Sequence, residues 1–333
     1  MIITQTPLRM SFAGGGSDLP SFYRQFGGAV VSSTINKYIY VNVNKKFDDW
    51  IRVSYSRTEE VESVDKIEHP IVRAALQKLN IPGGLEITSI ADIPSRGTGL
   101  GSSSSFTVGL LLALHAYGSR YRSPGDLAEE SCKVEIELCG EPIGKQDQYA
   151  AAYGGLNFYR FEPDDSVTVE PILCSGAKLH ELQSSLITFY TGTTRAASSI
   201  LADQSQQAQS NNGTQILMKR MTELAYELRV ELDNGNIGAL GEILDAGWRL
   251  KREVHPGVSN SAIDDWYATA KRAGAVGGKL LGAGGGGFLT FFAPPERHEE
   301  IRKSLGLREI DLCLDRSGSR VLLYHNPLHT EQK

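Results

Sequence analysis

Pro94-Ser95-Arg96-Gly97-Thr98-Gly99-Leu100-Gly101-Ser102-Ser103-Ser104-Ser105 lies between two apolar segments that give it a definite setting. Leu85 to Ile90, before it, alternates large apolar and polar side chains as a half-buried strand does. Phe106 to Tyr117, after it, is apolar with Ala, Leu and His, the pattern of a helix to be buried. A strand therefore leads into a glycine and serine loop that opens a helix. Glycines let backbone approach an anion, successive N–H groups form a concave nest, and the helix N-terminus adds about half a positive charge. This is a phosphate cradle. A surface linker shares the composition, but a linker need not end in an apolar helix or hold Leu100 between its glycines. It is not a Walker A loop, because no Gly-Lys-Ser/Thr follows a four-residue gap after a glycine.

Working outward toward the N-terminus, His69-Pro70 precedes a helix through Leu79 that Asn80 and Pro82-Gly83-Gly84 stop. Trp50 to Tyr55 reads as a strand, and Gly27 to Ile35 and Lys37 to Lys46 as two strands joined tightly. Ile2 to Thr6 is a short first strand that Pro7 ends. After it, Arg9-Met10-Ser11-Phe12-Ala13-Gly14-Gly15-Gly16-Ser17-Asp18-Leu19-Pro20 forms a second glycine-rich loop carrying an acid just beyond its glycines.

Toward the C-terminus, Ser123-Pro124-Gly125-Asp126 starts a helix expected to reach about Cys139. At about 100° per residue its apolar residues share one broad face, and Glu135 falls in the middle of that face. An ionised carboxylate there needs a cation or strong donors, so Glu135 is either a buried hydrogen-bonding residue or a metal ligand. Asp147 follows in a glycine-flanked turn that opens a short helix, where an acid is commonly just a cap. Leu156 to Phe161 and Ser185 to Tyr190 read as strands, with a polar stretch between them, Pro163 to Ala177, that suits a hairpin or a lobe boundary. Thr191-Gly192-Thr193-Thr194-Arg195 opens a helix through Ala202 and places an Arg where it could meet an anion or simply face solvent. Gln204 to Asn212 is the candidate flexible flap. Two long amphipathic helices, Gln215 to Leu232 and Ile237 to Val254, precede a third from about Asn260 to Ala273. A third glycine loop, Gly277 to Gly287, is followed by the strand Phe288 to Phe292. Four successive glycines, Gly284 to Gly287, make sense where chain must lie against a ligand. Pro294 to Leu305 is a last helix, and Glu309 to Leu314 and Arg320 to Tyr324 are terminal strands.

With 333 residues the chain exceeds the usual size of one core, so two lobes are expected, residues 1–176 and 177–333. Its 41% hydrophobic and 22% charged residues exclude disorder as the default, and a net charge of −5 with scattered Lys and Arg excludes nucleic acid and anionic membrane as partners. Four cysteines without paired spacing, the absence of a signal-like N-terminus and the absence of a long apolar run together lead to the expectation of a cytoplasmic protein.

Three separated glycine loops with acids beside them could converge on one phosphate-bearing ligand and its acceptor. Phosphoryl transfer asks for Mg²⁺ on phosphate oxygens, donors for the moving group and a residue that orients or deprotonates the acceptor hydroxyl. Ser102 or Ser103 with Glu135 could supply oxygen ligands for Mg²⁺, Asp147 the base and Arg9 a donor.

The sequence resembles the family of galactokinase, homoserine, mevalonate and phosphomevalonate kinases, the GHMP kinases, along essentially its whole length. The matches are Pro7-Leu8-Arg9 with Phe12 to Asp18, then Pro94 to Ser105, then Lys279 to Gly287, in the family's order. Within it, the run Phe12 to Pro20 with Gln146 to Ala150 and Thr191 to Arg195 is most similar to bacterial heptose 7-phosphate kinases. The resemblance implies an α+β fold of two lobes, ribosomal-protein-S5-like and ferredoxin-like, with ATP, Mg²⁺ and a sugar phosphate in the cleft between them and a possible homo-oligomer. It implies phosphorylation of D-glycero-D-manno-heptose 7-phosphate at the anomeric hydroxyl, in nucleotide-activated heptose synthesis for capsule, surface layer or lipopolysaccharide. The alternatives are a kinase of an unphosphorylated sugar such as fucose or galactose, and a catalytically silent sensor on the same fold. Carried over by position, the resemblance assigns Pro94, Gly97, Gly99, Leu100, Gly101, Ser102, Ser103 and Ser104 to the nucleotide, and Ser103 and Glu135 to the metal. Asp147 and Arg9 become catalytic. Gly14, Gly15, Gly16, Ser17, Asp18, Arg195, Gly284 and Gly285 face the substrate, and Arg195, Lys145 and Lys37 are the candidates for a distal phosphate.

Overall fold

A computed structural model describes residues 1–94, 97–193 and 197–325, without the side chains of residues 197–200 and 209–210. In chain order the first part holds β1 (Ile2–Ala13), α1 (Pro20–Phe26), β2 (Gly28–Lys45), β3 (Ile51–Ser54), β4 (Thr58–Val61), α2 (Pro70–Lys78), β5 (Leu85–Ala91), α3 (Ser102–Tyr117), α4 (Pro124–Cys132), α5 (Gln146–Tyr153), β6 (Leu156–Phe161) and β7 (Val167–Pro171). The rest holds α6 (Gly176–Ser184), β8 (Leu186–Tyr190), α7 (Ala197–Ser210), α8 (Asn212–Asp233), α9 (Ala239–Val254), α10 (Ser261–Arg272), β9 (Gly277–Leu280), β10 (Phe288–Phe292), α11 (His298–Leu305), β11 (Arg308–Glu309), β12 (Leu314–Asp315) and β13 (Arg320–Tyr324). Among the described residues these strands form two sheets. The larger runs β13-β1-β2-β5-β3-β4, with β12 and the β6-β7 hairpin also joined through β2; the smaller runs β11-β8-β10-β9. This is the two-lobed α+β architecture expected from the sequence.

The first strand does not stop at Pro7. β1 runs on to Ala13 because Pro7 sits at a register shift against β2, where the missing N–H breaks no regular ladder bond. The two strands expected on either side of Asn36 are one. β2 bends at Asn36 and Lys37, which have no partner in β1, and Asn36 bonds instead to the backbone around Cys313. The bend lets one half of β2 pair with β6 and the other with β5.

The expected terminal strand Glu309 to Leu314 is split. β11 pairs with β8 in the second sheet, while β12 pairs with β2 in the first. Beyond it, β13 pairs with β1, Ile2 lying opposite Tyr324. Gln204 to Asn212 is not a loop: α7 continues through Ser210, with Ala208 packed against Leu19, Phe22 and Met218.

What positions the site is the packing of α3 on β1. α3 is buried on nearly every side, as the largely apolar run from Phe106 to Tyr117 requires. At Gly109 it approaches β1 so closely that a Cβ would lie 2.7 Å from Thr6 Oγ1, and Thr4 Oγ1 donates to Gly109 O at 2.9 Å. The helix axis is thereby fixed, and its N-terminus opens at the junction of the two sheets.

Candidate active site

The three glycine loops converge on one cleft of about 790 Å³. Ile39, Tyr55, Pro70, Ile71, Ile93 and Phe106 line an apolar end. Arg9, Asp18, Asp147, Lys251 and Lys279 line a polar end, with the loop at the head of α3 between them.

That loop is already helical at its serines, since α3 begins at Ser102 and not at Phe106. Gly101 is the N-cap with φ +77°, a left-handed conformation that glycine adopts without strain. A Cβ there would stand 3.3 Å from the Asp147 carboxylate, and one on Gly99 would lie 2.2 Å from Leu281 O. Both positions are glycine because other groups press against the loop. Gly97, Gly99, Gly101, Ser102, Ser103 and Ser104 line the cleft. Leu100 is fully buried and anchors the loop in the core, while Pro94 is exposed and outside the lining.

Arg9, 5% exposed on β1, organises the centre. Its Nε donates to Asp147 Oδ1 at 2.7 Å and its Nη2 lies 2.6 Å from the same oxygen, while Nη1 donates to Gly99 O at 2.7 Å. One guanidinium thus fixes Asp147, in the first turn of α5, relative to the loop. Both contacts fall on Oδ1, so Oδ2 has no protein donor among the described residues and sits beside Gly101.

Glu135 is completely buried, as its place on the apolar face required. Its backbone differs from expectation: α4 ends at Cys132, and Lys133–Leu138 form a π turn, an insertion often found at functional sites. Ser103 Oγ donates to Glu135 Oε1 at 2.8 Å and Gln148 Nε2 to Oε2 at 2.7 Å. Burial pushes the Glu135 carboxyl up to about 7; bonds from Ser104, Gln148 and Ser103 oppose the shift and the charge of Asp147 adds to it. Ser103 Oγ and Glu135 Oε1 are hard oxygens at nearly the ~2.9 Å spacing of adjacent ligands on an octahedron of 2.0–2.1 Å bonds, so the pair fits Mg²⁺. Among the described residues no group of three His, Cys, Asp or Glu is placed to hold a metal. Ser102 Oγ turns away, toward Thr98 Oγ1 at 3.2 Å.

In the first loop Gly15 and Gly16 line the cleft, while Gly14 packs on Ala29 and Ser17 Oγ donates toward Gly14 O and Ala29 O beneath it. Asp18 is 2% exposed and accepts from Gly16 N, Gln146 N and Gln146 Nε2 at 2.9–3.1 Å, tying the loop to α5. Burial raises its pKa, and the negative charge of Asp147 adds to the rise. In the third loop Gly277 to Leu280 is strand, with Gly277 pressed on Gly241. Gly284 and Gly285 do not line the cleft; they lie against Val258, and Gly287 abuts Thr98. Glycines expected to meet ligand here let the third loop brace the second from behind. Lys145 points away, its Nζ bonded to Asp165, and Lys37 is not in the cleft wall; Arg195 lies outside the described residues.

Lys251 and Lys279, both in the cleft wall, were not read from the sequence as site residues. Lys279 stood out only as the start of a motif. Lys251 lies on the stripe Leu240, Leu244 and Trp248 of α9, so the helical periodicity that isolates Glu135 on an apolar face isolates Lys251 as well.

The profile of the GHMP kinases N terminal domain matches residues 66–155 and that of the GHMP kinases C terminal region residues 228–308. The D-glycero-alpha-D-manno-heptose 7-phosphate kinase of Campylobacter jejuni is 31% identical over 319 residues, 91% of this chain and 93% of its own length. The bifunctional fucokinase/GDP-fucose pyrophosphorylase of Arabidopsis thaliana is 28% identical over 90% of this chain, which spans 31% of that protein. In fold, the crystal structure of a D-glycero-D-manno-heptose 1-phosphate kinase from Bacteroides thetaiotaomicron superposes with a TM-score of 0.79 at 24% identity, covering 98% of this chain and 100% of that one. The protein is thus an ATP-dependent phosphotransferase with an alcohol group as acceptor. More narrowly, the chain belongs to the GHMP kinase family.

Proposed function

We propose that this enzyme transfers the terminal phosphoryl group of ATP to the anomeric hydroxyl of D-glycero-D-manno-heptose 7-phosphate. The product is the 1,7-bisphosphate, which would feed nucleotide-activated heptose synthesis for capsule, surface layer or lipopolysaccharide. The observation that carries this reading is the Arg9–Asp147 pair set against Gly101 at the head of α3. The heptose acceptor is suggested by the likeness to the Campylobacter jejuni kinase.

In this reading the apolar end of the cleft takes the nucleobase, and the N–H groups from Gly97 to Ser104 hold the phosphates. Ser103 and Glu135 hold Mg²⁺, which when bound neutralises charge on the phosphate oxygens. Asp147 Oδ2 takes the proton of the acceptor hydroxyl as the sugar oxygen bonds to the terminal phosphorus and the bond from that phosphorus to ADP breaks. Arg9 holds Asp147 through Oδ1 and leaves its other oxygen turned to the acceptor. Gly15, Gly16 and Asp18 shape the acceptor pocket.

The test is ADP release measured with the heptose 7-phosphate and with the same sugar dephosphorylated. Dependence on the 7-phosphate is expected. Equal turnover on both would sink the heptose-phosphate reading in favour of an unphosphorylated sugar, as the fucokinase relationship would then suggest.

A further inference from the structure

The wall of the polar end is built partly from Lys251 on α9 and Lys279 on β9, each 8% exposed and lining the cleft. Among the described residues each ammonium has one hydrogen-bonded acceptor. Lys251 Nζ donates to Gly282 O, and Lys279 Nζ donates to Phe12 O at 3.2 Å. Those carbonyls belong to the third glycine loop and to the residue that opens the first, so the two lysines stand between the loops. An ammonium carries three N–H donors, which leaves each lysine with donors to spare.

Neither lysine forms an ion pair with a carboxylate among the described residues. Arg9 is matched by Asp147, and the nearby Asp18 is already engaged by Gly16 and Gln146. Two buried ammonium groups without a counter-ion are costly and make sense where an anion arrives. The electrostatics agree. Burial and then the charge of Arg9 lower Lys251 to about 8, with Asp18 opposing, and burial, Lys251 and Arg9 hold Lys279 well below the usual lysine range.

We propose that Lys251 and Lys279 form a two-pronged phosphate site between the first and third loops. Its ligand is a phosphate group of the reactants, either the acceptor's own phosphate or the terminal phosphate of the nucleotide. The proposal rests on the kinase reading, which brings phosphate to the cleft, and is independent of which sugar is used. It differs from the nest at the head of α3 in relying on side-chain charge instead of backbone N–H groups.

The experiment compares the full-length protein with Lys251→Met, Lys279→Met and Lys279→Gln, whose folding is checked by circular dichroism and thermal midpoint. Methionine keeps the length of the side chain, and glutamine keeps a donor for Phe12 O. Binding is measured for ADP, a non-hydrolysable ATP analogue, heptose 7-phosphate, the dephosphorylated heptose and inorganic phosphate. Removing the charged donor in each variant is expected to weaken binding of the phosphate-bearing ligand roughly 10- to 100-fold. If the ATP analogue weakens and ADP does not, the site takes the nucleotide's terminal phosphate. If heptose 7-phosphate weakens and its dephosphorylated form does not, the site takes the acceptor's phosphate. Folded variants that bind the ATP analogue, heptose 7-phosphate and inorganic phosphate as the unmutated protein does would overturn the proposal. If the unmutated protein fails to bind heptose 7-phosphate, the substrate reading fails, and the ATP-analogue and inorganic-phosphate arms still decide the role of the lysines.

Discussion

The two sides of the cleft differ in how their charges are balanced. On the side of α3 Arg9, Asp147 and Glu135 all have protein partners. Arg9 holds Asp147 and Gly99 O, and Glu135 takes bonds from Ser103 and Gln148. On the side of α9 and β9 Lys251 and Lys279 meet only backbone carbonyls among the described residues. The first side is preorganised in the absence of ligand, as electrostatic catalysis requires, whereas the second is short of negative charge until a reactant brings it. On the proposed function, one half of the cleft would serve the chemical step and the other capture.

Replacing Asp147 should expose the contrast most sharply. Asp147→Asn is expected to keep nucleotide affinity and to lower kcat by about 10²-fold or more, a general-base magnitude. Steady-state turnover beside calorimetric ADP binding checks it, and near-normal turnover removes Asp147 from the mechanism. Next in size, Glu135→Ala should raise the Mg²⁺ concentration for half-maximal activity by roughly 10-fold or more, the scale of losing a metal partner. An unchanged Mg²⁺ titration would mean that Glu135 only braces α3.

A smaller effect is expected behind the loop. A Cβ on Gly287 would lie 2.6 Å from Thr98 O at a backbone φ of +109°, so Gly287→Ala should push the second loop forward. KM for ATP is expected to rise several-fold, by about 1 kcal/mol of lost binding, with acceptor KM changing less. Equal shifts in both would show that the third loop supports the whole cleft and not the nucleotide side alone.

The smallest effect belongs to the capture side and concerns pH. Lys251 is lowered to about 8 in the folded protein from the 10.5 of an ordinary lysine. Between those values the unfolded chain binds more protons, so this residue's contribution to stability rises with pH across the window and is flat below it. The thermal midpoint of the unliganded protein minus that of Lys251→Met should therefore become more positive from pH 8 to pH 10, on the order of 1–3 °C. A constant difference would show that the lysine is not desolvated.

Much of this was legible in the sequence wherever a local signal had a single physical reading. The strand, loop and helix around Gly97 to Ser105 were visible because periodicity changes across them. The burial of Glu135 followed from one charge on an apolar face. What could not be read was set by distant chain. Pro7 looks like a strand end until β2 supplies a bulge to receive it, and β2 looks like two strands until the backbone near Cys313 satisfies Asn36. The glycines from Gly284 to Gly287 carry the same composition whether they face a ligand or another loop, and only Val258 and Thr98 reveal which. Lys251 was legible in principle, but a lysine near a helix end also reads as an ordinary partner of the helix dipole.

The pairing of β13 with β1 sets Ile2 beside Tyr324, and β12 closes on β2 only after the second sheet has been traversed. During synthesis, then, the larger sheet waits with an open edge for most of the chain's emergence, and Arg9, on β1, belongs to a strand whose outer neighbour arrives last. Such long-range closure is slow to nucleate and leaves apolar strand surface unguarded meanwhile. Substitutions in Arg320–Tyr324 should accordingly reduce the yield of folded enzyme far more than the activity of the molecules that do fold, separating assembly from catalysis along a single strand.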